Sequence, residues 1–312
     1  MRNPGLAGHI VGGLQDELDA IGRTSGKVWY VNSTTTNASD TTASGESWDS
    51  PLATIDAAVG KCTANVGHKI YVGPGHAETV TAAAGLVFDI AGIEVVGFGI
   101  GTNRPAINLG TATTADVDVD AANVTLRNLR FVSAINSLAN CLDVNANNCT
   151  VDGCDFIGAS TLEIVCGIDI ATTTDNHTIS NCYFYQPTDP EGTDGNAATG
   201  CIYLVDSENV TIENCRFIGQ WETAFIHNKT TLTQELWIRN CYGTAELALV
   251  MILVDNSTGG MVNSHFCKPA AADVAEGSFM TIAATTTFGL HLCTFMNDGA
   301  GGNAAVEVAA AT

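Results

Sequence analysis

A nine-residue phrase recurs along the chain, and it limits the fold more than any other feature of the sequence. The four clear copies begin at Asn123, Asn148, Asn176 and Asn209. Weaker copies begin at Gly92, Glu235, Gly259 and Thr287, and the mean spacing is roughly 28 residues. A unit of this length cannot bury a hydrophobic core alone, so successive units must stack on one another.

The phrase itself indicates two short strands joined by a sharp corner. Positions two and four are mainly apolar and positions three and five mainly polar, an alternation typical of a half-buried strand. Position six is mostly Gly or Asn, the residues that adopt left-handed backbone angles most easily. The position-six residues are Gly97, Asn128, Gly153, Asn181, Asn214, Asn240, Ser264 and Leu292. The sequence therefore predicts an all-β fold, a single-stranded right-handed parallel β-helix.

Positions seven and nine are predicted to stack inside this solenoid. Position seven holds Phe98, Leu129, Cys154, Cys182, Cys215, Cys241, His265 and Cys293. Position nine includes Phe131, Phe156, Phe184, Phe217 and Phe295, and a second cysteine group is Cys141, Cys166 and Cys201. The 11 cysteines include no C-x-x-C pair and no zinc-like spacing. We interpret them as small buried hydrophobes rather than as metal ligands or disulfides.

The two ends of the solenoid differ from its body. Residues 50–62 break the β pattern, and Ser50 as N-cap with Pro51 as first helical residue predicts a short helix that caps the open end. Residues 1–25 form a separate attachment segment, and the β-helix covers 26–312. Within that segment, His9 to Gly22 predicts a helix that packs on the solenoid, self-associates or docks on a larger assembly. Its apolar face consists of Ile10, Leu14, Leu18 and Ile21.

Charge excludes several classes of partner. Only 14% of the residues are charged, and 12 Lys and Arg against 33 Asp and Glu give a net charge of −21. Nucleic acids and anionic membrane surfaces both require clustered cations, so neither is an expected partner. No apolar run reaches the roughly 18 residues of a membrane span, and the first residues do not resemble a signal peptide. We expect synthesis and folding in a reducing cytosol.

Three N-terminal phrases, followed by the repeated coils, resemble a known group of proteins. The phrases are GKVWYVN at 26–32, SPLATIDAAV at 50–59 and KIYVGPGHAET at 69–79. They resemble right-handed β-helix proteins encoded by tailed bacteriophages, which share the pectate-lyase-like solenoid, and the resemblance covers roughly residues 26–297. It implies a virion component, either a capsid decoration or stabilising protein or a tail spike, and commonly a homotrimer.

Pectate-lyase-like solenoids often cleave polysaccharides, so the outward polar columns are candidate sites. Stacked turns lie about 4.8 Å apart, and glycosidases need two carboxyl groups about 5–9.5 Å apart. Asp118 or Asp120, Asp143 and Asp169 are predicted to form such a column, which is also the best Ca²⁺ candidate. Tyr183 and Tyr242 are predicted stacking platforms for a sugar. Ion pairs are expected for Arg127 with Asp152 and for Arg130 with Asp155, whereas His76 and Glu78 are interpreted as structural.

The first hypothesis is a non-enzymatic virion structural protein, a homotrimeric capsid decoration protein made in the host cytoplasm and without metal or cofactor. Its partner would be the major capsid protein or another virion protein, contacted through the apolar face at residues 10–21. The second hypothesis is a tail-spike depolymerase, a polysaccharide lyase or glycoside hydrolase acting through Asp143 and Asp169. The third is a module that binds a host surface glycan through Tyr183 and Tyr242 without cleaving it.

Overall fold

The computed structural model of the 312-residue chain describes residues 26–187, 200–221, 224–228, 234–245, 252–254, 257–268, 280–283, 287–297 and 308–311. The predicted attachment helix, with Ile10, Leu14, Leu18 and Ile21, lies outside the described residues.

The described strands form three parallel sheets wound into a right-handed parallel β-helix, which confirms the predicted fold. Sheet A contains β1 (Val28–Val31), β2 (Lys69–Val72), β5 (Glu94–Gly97), β8 (Thr125–Arg127), β11 (Thr150–Asp152), β14 (His177–Ser180), β17 (Glu208–Glu213), β20 (Gln234–Arg239), β23 (Thr258–Val262) and β26 (Thr287–His291). Sheet B contains β3 (Ala77–Val80), β6 (Ala106–Leu109), β9 (Arg130–Ser133), β12 (Asp155–Ile157), β15 (Tyr183–Gln186), β18 (Arg216–Gly219), β21 (Tyr242–Ala245), β24 (His265–Lys268) and β27 (Thr294–Asn297). Sheet C contains β4 (Leu86–Val87), β7 (Val117–Val119), β10 (Leu138–Val144), β13 (Ile164–Ile170), β16 (Gly200–Leu204), β19 (Ala224–Asn228), β22 (Ile252–Val254), β25 (Met280–Ala283) and β28 (Val308–Ala311).

The repeated phrase forms the strands of sheets A and B and the corner between them. Equivalent positions of successive phrases lie side by side in neighbouring strands. The alternation within each phrase therefore produces one column of side chains that points inward and one that points outward. The inward column includes the buried residues Leu126, Val151, Ile179 and Ile212. The outward column includes Thr125, Thr150, Thr178 and Thr211.

The corner between sheets A and B is a left-handed residue at most of the predicted positions. Positive φ angles of 51–64° occur at Asn128, Gly153, Asn181, Asn214, Asn240 and Leu292. The first position of the phrase is also left-handed, which the pattern did not predict. The residues concerned are Gly92, Asn123, Asn148, Asn176, Asn209 and Glu235.

The predicted corner was wrong in two turns. In the penultimate copy Leu236 pairs with Gly259, so the phrase begins at Thr258 and the corner is Asn263, with φ 46°. The shift places Ser264 inside the solenoid and leaves His265 exposed. In the first copy, Gly97 is not left-handed, and a longer connection with a 3₁₀ turn at Gly101–Asn103 leads to sheet B. This connection turns Phe98 outward, where it is 39% exposed.

Cysteine and phenylalanine fill the interior as predicted. The thiols of Cys154, Cys182, Cys215 and Cys241 are buried and donate to backbone carbonyls of the preceding turn at 3.5–3.8 Å. The stacked rings are Phe131, Phe156, Phe184, Phe217, Phe225, Phe266 and Phe295, with centroids 4.7–6.1 Å apart. Phe225 enters this stack from sheet C, at the turn where position nine is Gly243.

A short helix packs at the N-terminal end of the solenoid. It spans Ile55–Val59 (α1), with Thr54 as the N-cap, so the prediction of Ser50 as N-cap and Pro51 as first helical residue was wrong. Asp40 is the reason, because its carboxylate accepts the backbone N–H groups of Ala53 and Thr54 and holds these residues in a loop. The buried face of α1 contacts β1, β2 and β4. No helix in the described ranges is long and apolar enough to span a membrane.

Candidate functional site

Sheet C carries the predicted column of carboxylates on its outer face. Asp118, Asp143 and Asp169 are direct neighbours on β7, β10 and β13. We refer to them as the acidic column. Asp120 lies outside this register, and its carboxylate accepts the side-chain amide of Asn145 at 2.9 Å.

Asp116 joins the column, although the pattern did not identify it. One carboxylate oxygen from each of Asp116, Asp118 and Asp143 lies within 4.8 Å of the others. Asp116 immediately precedes β7 (Val117–Val119), and its side chain continues the alternation of that strand. The signal in the sequence is the run Asp116, Asp118, Asp120 at every second residue. Three half-buried carboxylates at this spacing could hold a hard divalent cation such as Ca²⁺.

Burial and mutual repulsion perturb these carboxyl groups. Burial is the largest cause that raises the pKa of Asp143 to about 7, and nearby Asp116, Asp169 and Asp118 raise it further against a hydrogen bond from Asn140. Burial, with Asp116 and Asp120, raises the pKa of Asp118 to about 6. The Oδ1 atom of Asp143 is also buried without a hydrogen-bond partner.

The strands that carry the acidic column offer no cation that could act as the base of a lyase. None of the strands of sheet C contains Lys or Arg. A polysaccharide lyase needs an Arg or Lys beside its carboxylates to abstract the proton. A glycosidase needs only the paired carboxyls, and an acid with a raised pKa suits proton donation at neutral pH.

The corner between sheets A and B begins with paired charges. Arg127 contacts Glu94 at 2.9 Å and also Asp152, and Arg130 lies 3.8 Å from Asp155, so both expected ion pairs are present. Arg104 adds a closer contact to Asp155 at 2.7 Å. These arginines are neutralised by carboxylates of the chain itself.

Farther along this corner, the predicted stacking platforms contact an arginine. Tyr183, Arg216 and Tyr242 are successive neighbours in sheet B. The Arg216 guanidinium lies 5.9 Å from the Tyr183 ring centroid and 5.7 Å from that of Tyr242. Both rings therefore have one cation–π partner, and Tyr242 remains 41% exposed.

A group of four contacting aromatic rings, two exposed and two half-buried, lies beside sheet A near the N-terminal end. We refer to Tyr30, Trp48, Tyr71 and Phe98 as the aromatic patch. Their ring centroids lie 4.8–5.8 Å apart in edge-to-face contacts. Trp48 is 42% exposed, and nearby in the chain Ile100 is 86% exposed. Sequence reasoning missed this patch because Trp48 comes from a polar loop and Phe98 from an irregular turn.

His76 and Glu78 have structural partners, as interpreted from the sequence. The buried His76 ring accepts the backbone N–H of Ser33 through Nδ1 at 3.0 Å. Glu78 accepts the backbone N–H of Ile55 at 2.9 Å, at the start of α1. The pair connects the first loop, the helix and sheet B.

Comparison with known proteins finds similar folds among solved structures. A scan against protein-family models finds no match, and a search of curated proteins finds none either. The solved structure of pectate lyase Pel9A matches with a TM-score of 0.54 and 12% identity, over 92% of this chain and 82% of that chain. A rhamnogalacturonan lyase matches with a TM-score of 0.49 and 13% identity over 84% and 82% of the two chains. An alginate lyase from Paenibacillus sp. str. FPU-7 matches with a TM-score of 0.40 and 12% identity over 78% and 95%. The likeness to pectate lyase Pel9A, at 12% identity, shows the fold alone, a pectate-lyase-like β-helix.

Proposed function

We propose that the protein is a non-enzymatic structural component of a tailed-bacteriophage particle, most simply a homotrimeric capsid decoration protein. The aromatic patch is the observation that carries the proposal. Tyr30 and Tyr71 belong to the phrases at 26–32 and 69–79, which carry the resemblance to phage β-helix proteins. A cluster of aromatic rings that leaves Trp48 and Phe98 exposed is unusual on a monomer and typical of the centre of a protein interface.

The charge of the chain supports an apolar contact with the particle. A net charge of −21 provides little electrostatic attraction to another acidic protein surface. Burial of aromatic side chains stabilises a contact without opposite charges, at about 25 cal/mol per Å² of apolar surface.

Particle labelling and binding test this proposal. An antibody against the chain should label the heads of purified phage particles in electron micrographs. The Trp48→Ala/Phe98→Ala variant should bind particles that lack the protein at least tenfold more weakly than the wild type. Leu292→Ala is the matched control, since Leu292 is 69% exposed and lies at the other end of the solenoid. Absence of the chain from particles would refute the proposal.

The acidic column favours a second function, a tail-spike polysaccharide depolymerase. Asp143 would donate a proton to the glycosidic oxygen, and Asp169 would act as the second carboxylate. The expected result is release of reducing sugar from host surface glycan, lost in Asp143→Ala and in Asp169→Ala and retained in Asp49→Ala. If no cell-surface polysaccharide yields reducing ends or unsaturated products, this function is wrong.

A further inference from the structure

Two buried imidazole rings hold the two ends of β1. The Nδ1 atom of His68 accepts the backbone N–H of Lys27, just before β1, at 2.8 Å. The Nδ1 atom of His76 accepts the backbone N–H of Ser33, two residues after β1, at 3.0 Å. The two histidines are 6% and 1% exposed and lie on either side of β2, the strand that pairs with β1. We refer to His68 and His76 as the histidine clasp.

β1 is the outermost described strand of sheet A, so each contact at its ends matters for its attachment. It pairs with β2 on one side only. On its other side, Tyr30 donates its backbone N–H to Gly45 and accepts the backbone N–H of Leu52, each at 2.8 Å. Peripheral segments of a fold open at a lower cost in free energy than its core.

Both contacts of the clasp require an imidazole whose Nδ1 carries no proton. A neutral imidazole has one acceptor nitrogen, whereas an imidazolium has N–H groups at both nitrogens and no acceptor. A second proton on either ring would therefore direct an N–H group at the N–H group of Lys27 or Ser33. Histidine in water ordinarily takes up this proton at about pH 6.5. The open state, in which the rings reach water, consequently binds more protons than the closed state, and opening becomes more favourable as pH falls.

The surroundings of His68 do not compensate a positive charge on its ring. In the described part of the chain, the charged groups beside it are Lys27, Glu46, Lys69, Glu94 and Arg127. Both carboxylates are paired with cations of this group at 2.7–2.9 Å, so neither is left to stabilise an imidazolium. The Lys27 carbonyl oxygen lies 3.4 Å from Nδ1, but it already accepts the backbone N–H of Lys69 at 3.0 Å.

His76 has a different environment that leads to the same result. The Oε2 atom of Glu78, on β3, lies 3.3 Å from Nε2 of the ring. α1 and the first loop add Asp56 and Asp40, which interact electrostatically with each other, as do Asp56 and Glu78. Glu78 favours a second proton on the ring, while the N–H of Ser33 opposes it. With that proton the ring keeps its contact to sheet B and loses its contact to the segment after β1.

We propose that the histidine clasp is an acid-sensitive switch, which holds β1 at neutral pH and releases it in acid. Tyr30 lies on β1, and its ring centroid lies 4.8 Å from that of Trp48 and 5.8 Å from that of Tyr71. Release of β1 therefore breaks up the aromatic patch. The contact with the particle should then weaken in acid, a consequence that rests on the proposed function.

Hydrogen exchange of the full-length chain, measured by mass spectrometry, tests the inference without any particle. After division by the intrinsic effect of pH on exchange, the segment 26–33 should exchange at least about tenfold faster at about pH 5 than at about pH 7.5. The amides of Lys27 and Ser33 in this segment report the two contacts directly. Strand β18 is the internal reference, since it contains no histidine and lies several turns away, and its exchange should not change.

Substitution of the clasp should remove the response to acid. In His68→Asn/His76→Asn, the side-chain oxygen lies near the position of Nδ1 and accepts a hydrogen bond without ionising. The segment 26–33 of this variant should exchange equally at the two pH values, and each single variant should keep part of the response. His265→Asn is the matched control, because His265 is exposed on β24 at the other end of the solenoid, and it should respond as the wild type does.

Two outcomes would overturn the inference. One is a wild-type chain in which the segment 26–33 exchanges equally at both pH values. The other is a folded double variant that opens in acid as much as the wild type; if the double variant does not fold, the same comparison is made with the single variants. Neither outcome depends on particle labelling, so a failure here is distinguishable from a failure of the proposed virion role.

Discussion

At Asp143 a single carboxyl group couples the stability of the solenoid to pH. Its pKa is about 7 in the folded chain, against an ordinary value of 3.8. The folded state therefore binds more protons than the unfolded state between these two values. The stabilisation is fully present below about pH 3.8 and is lost as pH rises through about 7. At neutral pH the acidic column consequently destabilises the fold.

Replacement of Asp143 by Asn should remove this penalty. We expect Asp143→Asn to raise the melting temperature at about pH 8 and to flatten its decline between about pH 4 and 8, because the amide stays neutral. Calorimetric melting curves across this range provide the measurement. Asp49→Asn changes an exposed carboxylate on the first loop and should have little effect. A wild-type pH profile in Asp143→Asn would contradict the role assigned to this carboxyl group.

The acidic column could be predicted because polar and apolar residues alternate along its strands. Asp118, Asp143 and Asp169 each stand between inward apolar residues, so their common face could be inferred from the sequence. Asp116 was missed although it continues the same alternation, because it lies just before the strand rather than in it. The aromatic patch depends on contacts between a loop, two strands and an irregular turn, and no local pattern encodes such contacts.

At the scale of the element, the nine-residue phrase predicted the regular turns of the solenoid correctly, but it did not predict the two irregular turns. Asn and Gly at position six identified most corners because few other residues adopt left-handed angles cheaply. In the turn at 258–266 the corner is Asn263 rather than the predicted Ser264, because Asn adopts left-handed angles more easily than Ser. The exposed Phe98 reflects an inserted connection, which a fixed repeat length cannot anticipate.

Gly243 is an element-scale feature with a measurable role. A Cβ atom at Gly243 would lie 2.5 Å from Phe266 and 2.6 Å from Phe225, so the missing side chain makes room for Phe225 in the stack. We expect Gly243→Ala to destabilise the chain by about 1–3 kcal/mol through overpacking. Denaturant unfolding measures this loss. Gly60→Ala is the control, since its Cβ would approach no atom closer than 3.6 Å; an equal loss there would refute the packing explanation.

At the scale of the whole molecule, the excess of negative charge should make stability depend on ions. Self-repulsion of a chain with net charge −21 decreases as salt is added, so the melting temperature should rise. CaCl₂ should raise it further than NaCl at equal ionic strength, because the carboxylates of Asp116, Asp118 and Asp143 lie within reach of one ion. The extra rise should disappear in Asp118→Asn/Asp143→Asn. Equal effects of the two salts would exclude specific binding of the cation.

The buried thiols inside the solenoid can report which turn of the fold opens to solvent. Cys154, Cys182, Cys215 and Cys241 lie on successive turns and are almost completely shielded from water. Because each turn touches only its neighbours, separate regions of the solenoid can open independently. A thiol reagent reaches each sulfur only when its own turn opens. The relative rates at which these cysteines are modified would therefore map, turn by turn, where the solenoid begins to unwind.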